Sequence, residues 1–210
     1  MPRIAIPWPH SADPAYNERS LPDYERAVEQ AGGTPVRIPL DKVPAEVMKL
    51  IETCDGVLLP GSNADVDPQK YDAVRDPRSA PADPARDTVD ELLLQDAYNM
   101  HKPVFGICYG LQALNVYRTG TLIQHLETAV NHEIGRKVVY AHAVNVEPDS
   151  RLAKVVGAAE FAANSSHHQA AAVAGDGLRV VARAVEDGVI EALEGTAANH
   201  WVMEIGRAHV

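Results

Sequence analysis

Short apolar blocks recur along the first half of the chain, and polar segments with helical spacing separate them. The first block, Arg3 to Trp8 (RIAIPW), is long enough for a buried strand and too short for a buried helix. From Asp23 to Gly33 the apolar residues fall three and four apart and the run ends in a glycine pair. That pattern predicts a helix with its C-terminal stop. Thr34 to Leu40 (TPVRIPL) returns to strand character. Pro44 to Cys54 predicts a helix with proline in its first turn, where a missing N–H costs little. Asp55 to Gly61 is a third strand, Thr88 to His101 a helix and Lys102 to Cys108 a fourth strand. Tyr109 to Tyr117 is the helix that follows. The Pro- and Asp-rich stretch Ser62 to Asp87 is too long for a plain connection and is read as a functional loop.

Strands that alternate with helices predict an α/β fold, a doubly wound sheet that is mostly parallel and covered on both faces. The second half reads differently. The segments HAVNVEP, LRVVARAVE, GVIEALEG and HWVMEIG look like strands joined by short turns, which predicts a small antiparallel extension of the same sheet. No internal repeat is visible. The length of 210 residues suits a single domain over 1–210 that buries its core unaided.

Charge and cysteine content narrow the function. A net charge of -10 argues against a nucleic-acid partner, because phosphate binding needs clustered Lys and Arg. No apolar run is long enough to cross a bilayer, and the first residues lack the features of a signal peptide. The expectation is a cytoplasmic protein with no membrane partner. Two cysteines, Cys54 and Cys108, do not make a disulfide framework. Cys54 closes an amphipathic helix and reads as a core residue.

Cys108 is different. It ends a strand and begins a helix inside Gly106-Ile107-Cys108-Tyr109-Gly110, the cysteine form of a nucleophile elbow. The small residues on either side let strand and helix approach closely, and the turn pushes the sulfur out at the carboxyl edge of the sheet. Open α/β sheets bind ligands at that edge. The helix N-terminus favours the thiolate, and the N–H of Tyr109 would face a developing oxyanion. A second loop, Leu58 to Pro68 (LLPGSNADVDP), also follows a strand, and its Pro-Gly-Ser turn can aim the N–H of Ser62 at the same point. A third stretch, Asn164 to Ala170 (NSSHHQA), is polar with two histidines and fits a surface turn or, with His167 and His168 joined by His125, His132 or His142, a metal site. No spacing among His125, His132, His142, His167 and His168 matches a recognised metal-ligand pattern, so no metal is expected.

The segments LLPGSNADVDP, DPARDTVDELLL, KPVFGICYGLQALNV, GTLIQHL, SRLAKVVG, NSSHHQA and DGVIEALE run in order along nearly the whole chain. Together they resemble the class I glutamine amidotransferase-like superfamily. More closely, they resemble the γ-glutamyl-γ-aminobutyrate hydrolase family, a group of cysteine peptidases (peptidase C26) acting on γ-glutamyl bonds. The resemblance implies a flavodoxin-like core and a Cys-His-Glu triad. It implies hydrolysis of a γ-glutamyl amide through a thioester, with neither metal nor organic cofactor. Under it, Cys108 is the nucleophile and the backbones of Ser62 and Tyr109 form the oxyanion hole. Gly61, Gln112, Ser165, Ser166 and His167 line the substrate site, and Glu191 helps recognise the substrate amine. The expected partner is a small γ-glutamyl substrate; a homodimer is left open.

One segment departs from the family. Its His and Glu lie in a C-terminal strand that ends Gln-x-His-Pro-Glu. This chain approaches with Asn199 to Met203 (NHWVM) and then reads EIGRAHV. An ungapped register puts Ala208 at the histidine and Val210 at the glutamate. His209 falls one place off and would face the wrong side of a strand. Either the last residues are not native, through a truncated reading frame or a cloning scar, or the chain is a pseudoenzyme that binds a γ-glutamyl ligand without cleaving it. The intact Cys108 and its two supporting loops favour the first reading. Both predict that the chain as written is catalytically impaired. A third alternative is a glutaminase subunit feeding ammonia to a synthetase; the long Pro/Asp loop and the GTLIQHL and SRLAKVVG matches favour the free-standing hydrolase.

Overall fold

The computed structural model describes residues 1–135 and 138–206. The expectations for Ala208, His209 and Val210 lie outside the described residues. The first half alternates as the sequence predicts: β1 (Arg3–Pro7), α1 (Pro14–Gln30), β2 (Thr34–Ile38), α2 (Pro44–Ile51), β3 (Gly56–Leu59), α3 (Pro84–Met100), β4 (Val104–Ile107) and α4 (Tyr109–Tyr117). The second half is mostly strand: β5 (Thr121–Ile123), β6 (His142–Val146), β7 (Glu160–Ala163), β8 (Ala170–Val173), β9 (Leu178–Ala184), β10 (Ile190–Gly195) and β11 (Val202–Ile205), with one short helix, α5 (Arg151–Val156).

One nine-stranded sheet runs in the order β2-β1-β3-β4-β11-β10-β9-β6-β7. Neighbours from β2 to β11 pair parallel. From β11 onward each pairing is antiparallel. β11, the last strand of the described residues, is therefore the seam between a parallel core and its antiparallel extension. β5 and β8 form a separate antiparallel pair.

Alternation along the strands explains the two-sided cover. Ile6 and Leu58 face one side and pack with Leu21 and Val28 of α1. Ala5, Val57 and Leu59 face the other and pack with Val47 and Ile51 of α2, Leu93 and Ala97 of α3, and Leu111 and Leu114 of α4. Such strands, apolar on both faces, are the mark of a doubly wound core. A second cluster joins Val144, Val181, Ala192 and Met203 beneath the extension.

Two helices start earlier than the hydrophobic spacing predicts. α1 begins at Pro14 because the Asp13 side chain caps the Tyr16 N–H and Pro14 sits where no N–H is needed. Its interior Pro22 forgoes one backbone hydrogen bond. α3 likewise begins at Pro84, capped by Asp83. The loop between β3 and α3 carries a 3₁₀ turn, Pro68–Tyr71. Cys54 is buried as expected, and burial pushes its thiol pKa up. Cys54 and Cys108 form no disulfide. No helix of the described residues is long and apolar enough to cross a membrane.

Candidate active site

β3, β4 and β11 are parallel, so their carboxyl ends share one edge, and the antiparallel β10 starts at that same edge. Cys108 stands there between β4 and α4 with φ 55° and ψ -107°, a conformation that a side chain seldom adopts. Its N–H donates to the Ile205 carbonyl at 2.9 Å, and its carbonyl accepts from Gln112 at 3.2 Å. The flanking glycines are required by contact. A Cβ on Gly110 would stand 2.3 Å from the Leu59 carbonyl oxygen, and one on Gly106 would stand 2.9 Å from the Gly110 carbonyl carbon. Strand and helix backbones touch here, and the half-buried sulfur is held out at the edge.

The Pro60-Gly61-Ser62 turn meets Cys108 directly. A Cβ on Gly61 would lie 3.6 Å from the Cys108 Cβ. Ser62 is half-buried and its Oγ accepts from the Ala64 N–H at 3.1 Å. The turn is fixed from below by Arg86, which is fully buried. Arg86 donates to the Pro60 carbonyl at 2.9 Å, the Pro9 carbonyl at 3.0 Å and Asp90 at 2.7 Å. Its guanidinium also lies 4.9 Å from the centre of the Tyr109 ring. The Tyr109 hydroxyl in turn donates to Asp87 at 2.6 Å. One cation thus positions both Ser62 and Tyr109. Burial pushes the Asp90 carboxyl up to about 6, against the pull of Arg86.

Two tyrosines complete this side. The Tyr24 hydroxyl accepts from the Gly61 N–H at 3.1 Å. The Tyr16 hydroxyl lies close to the same turn, and burial, with Tyr24 and Cys108 nearby, pushes its pKa up to about 12. Neither tyrosine, nor Arg86, is singled out by the sequence pattern, because all three come from helices whose apolar spacing says nothing about the edge.

The stretch NSSHHQA forms the opposite wall and is not a surface turn. Ser165, His167 and Gln169 are buried, Ser166 is exposed. His168 bonds Asp65 of the long loop at 2.9 Å, which pulls its pKa up and ties loop to wall. Gln112 and His167 both bond the Gln169 carbonyl, at 3.2 and 2.9 Å. Cys108, Gln112, His167, Gln169 and Gly206 enclose a space of about 10 Å³, the size of one water. A larger ligand must therefore lie partly in the open edge above it.

Glu191, at the start of β10, turns its carboxylate behind this wall. Oε1 lies 3.4 Å from His132 Nδ1, 3.3 Å from His142 Nε2 and 3.6 Å from His167 Nε2. Burial works against the charged carboxylate, but His132 and His167 hold its pKa at about 2. His132 also bonds Asp187 at 2.9 Å. Burial opposes its charge, yet Glu191 and Asp187 raise its pKa. Ser165 Oγ lies 3.3 Å from His132 Nδ1, so its side chain faces this cluster. The structure therefore brings Cys108, Gly61, Ser62, Tyr109, Gln112 and His167 to one edge, with Ser165 and Glu191 one layer behind.

Comparison with known proteins agrees with the architecture. The profile of the family described as Peptidase C26 matches residues 9–206. The γ-glutamyl-γ-aminobutyrate hydrolase of Escherichia coli O157:H7 is 35% identical over 84% of this chain and 72% of its own length. The protein NtpR of Enterococcus hirae is 31% identical over 81% of this chain and 72% of its own. A solved glutamine amidotransferase from Methylobacillus flagellatus shares the fold with a TM-score of 0.63 at 17% identity, covering 98% of this chain and 68% of that one.

Proposed function

The chain belongs to the peptidase C26 family, and on that premise we propose that it hydrolyses γ-glutamyl amide bonds through a thioester on Cys108. The observation that supports this most is the strained Cys108 backbone at the sheet edge, with the Gly61 turn packed against it. The thiolate adds to the γ-carbonyl carbon and forms a C–S bond. The carbonyl oxygen takes the negative charge and is held by the N–H groups of Tyr109 and Ser62. Collapse breaks the C–N bond, and the amine leaves with one added proton. Water then attacks the thioester, releasing γ-carboxylate and thiol. Gly61, Gln112 and His167 border the glutamyl group. The proton donor and water activator in this family is a histidine oriented by a glutamate; an ungapped register would put Ala208 and Val210 at those positions, beyond the residues that the family profile matches. Slow acylation without turnover is the expected behaviour. The same two residues favour the second reading, a γ-glutamyl-binding protein that does not cleave.

The test follows glutamate release and intact protein mass with γ-glutamyl-γ-aminobutyrate as substrate. The chain is compared with an Ala208→His, His209→Pro, Val210→Glu variant. Gly206 is kept, because a Cβ there would stand 2.7 Å from Glu191 Oε2. Turnover at least ~10³-fold faster in the variant, lost again on Cys108→Ser, is the expected result. If the variant neither turns over nor gains the mass of a glutamyl group, the hydrolase reading fails for this substrate and binding without cleavage replaces it. Ammonia release from glutamine would point to a glutaminase subunit instead.

A further inference from the structure

Behind the Cys108 wall, three imidazoles turn one nitrogen each toward a single carboxylate oxygen. We propose that His132 Nδ1, His167 Nε2 and the Glu191 carboxylate bind a divalent transition-metal ion of the zinc type, with His142 Nε2 beside them as the candidate fourth ligand. The ligand atoms of His132, His167 and Glu191 lie within 4.8 Å of one another, and all three residues are buried. The distances from Glu191 Oε1 to the three ring nitrogens, 3.4, 3.3 and 3.6 Å, lie at or slightly above the edge of a small coordination tetrahedron. Bonds of about 2.0 Å, usual for zinc to imidazole or carboxylate, give edges of about 3.3 Å.

The outer side of each ring carries the stronger argument. His132 Nε2 faces Asp187 at 2.9 Å, His167 Nδ1 faces the Gln169 carbonyl at 2.9 Å, and His142 Nδ1 faces the Ala143 carbonyl at 3.3 Å. A carbonyl or a carboxylate only accepts, so each outer nitrogen holds the proton. In the neutral form of each ring the inner nitrogen is then a lone pair aimed at Glu191. His142 Nε2, His167 Nε2 and Glu191 Oε1 find no hydrogen-bond partner among the described residues. Facing a carboxylate, each inner nitrogen holds either a second proton or a metal cation, and the buried convergence of all of them on one oxygen suits a single ion. An outer N–H held by a carboxylate or a backbone carbonyl is also how metal-binding histidines are oriented. The residue Gly206 leaves the room for this arrangement, since a Cβ there would crowd Glu191 Oε2 at 2.7 Å. Two imidazoles and a carboxylate, with no thiolate, suit zinc, cobalt or nickel better than calcium or magnesium, which prefer all-oxygen shells.

Positions 132, 142, 167 and 191 are too widely spaced to form a sequence motif. This assignment is independent of the proposed hydrolysis, although His167 also faces the Cys108 cavity.

The test uses the untagged full chain, stripped with a chelator and dialysed metal-free. Co²⁺ is titrated in while the visible spectrum is recorded, and Zn²⁺ then displaces it, with the heat of Zn²⁺ binding measured separately. One ion per chain and intense tetrahedral cobalt bands without a sulfur charge-transfer band are expected. Glu191→Gln should weaken binding at least ~100-fold. Asp187→Asn, which removes the negative charge from the outer acceptor, should weaken it ~10–100-fold. His101→Asn, a change at an exposed histidine, should leave it unaltered. No stoichiometric binding, a sulfur-to-cobalt band, or unchanged affinity in Asp187→Asn overturns the proposal, and protonated imidazoles then balance Glu191. If Glu191→Gln loses its circular dichroism, Asp187→Asn decides.

Discussion

Arg86 shows how one buried charge can set the geometry of a site it never touches. It reaches the carbonyl ahead of the Gly61 turn, and it lies over the ring of Tyr109. It also neutralises Asp90, which has a second oxygen without a hydrogen-bond partner among the described residues. Arg86→Met keeps the volume and strands Asp90, so it should cost about 3–5 kcal/mol of stability in urea unfolding at pH 7. Adding Asp90→Leu should return part of that loss, because an apolar pair of similar size tolerates burial better than one unpaired charge. If the double variant is no more stable than the single one, the carbonyl contacts outweigh the ion pair. The cysteine elbow was legible from its residues, since Gly-x-Cys-x-Gly between a strand and a helix has few other uses. The role of Arg86 was not. An arginine in the first turn of a polar-looking helix reads as solvated, and only the tertiary arrangement shows that it points inward.

β11 contains the clearest conflict between a residue and its element. Val202, Met203 and Ile205 suit a central strand, but Glu204 between them is fully buried, and neither of its carboxylate oxygens has a hydrogen-bond partner among the described residues. Burial drives its pKa well above 4.5, and Glu204 adds in turn to the upward shift that burial gives Tyr98. The sign follows. Below pH 4.5 the carboxyl is neutral both folded and unfolded. Above it the unfolded chain releases the proton and the folded chain keeps it, so this group lowers stability as pH rises toward its folded pKa, by at most ~1.4 kcal/mol per pH unit. Glu204→Val should therefore stabilise the protein by at least ~1–3 kcal/mol at pH 7, with a smaller gain at pH 5, in urea unfolding at both values. A gain that does not grow with pH would mean that Glu204 ionises freely in the fold. The strand itself was legible from its apolar residues. The short elements β5, α5, β7 and β8 were not, because three to six residues, such as the AAAV of β8, carry too little periodicity to distinguish them from loop.

The placement of β11 sets how the whole molecule holds together. It pairs with β4 on its parallel side through Val202 with Val104 and Ile205 with Ile107, and with β10 on its antiparallel side through Ala192 with Ile205. Its end anchors both parts of the site: the Ile205 carbonyl takes the Cys108 N–H, and the Gly206 N–H donates to the Glu191 carbonyl at 2.7 Å. The sequence order alone did not reveal this, because the last strand of the described residues enters the middle of the sheet, and such pairing is set by long-range packing. Opening β11 would separate the parallel core from its extension, so its hydrogen bonds should break only when the whole fold does. In native-state hydrogen exchange, the amides of Val104 and Cys108, which bond the carbonyls of Trp201 just ahead of β11 and Ile205 at its end, should need the full unfolding free energy and respond steeply to added denaturant. Amides of β7 lie at the sheet edge, where residues alternate between exposed and half-buried, and should exchange by local opening with little denaturant dependence. Should Val104 and Cys108 exchange as readily as β7, the two halves of the sheet open as separate units. The Cys108 site and the Glu191 cluster would then be coupled through Gly206 and through the Gln169 carbonyl that Gln112 and His167 share.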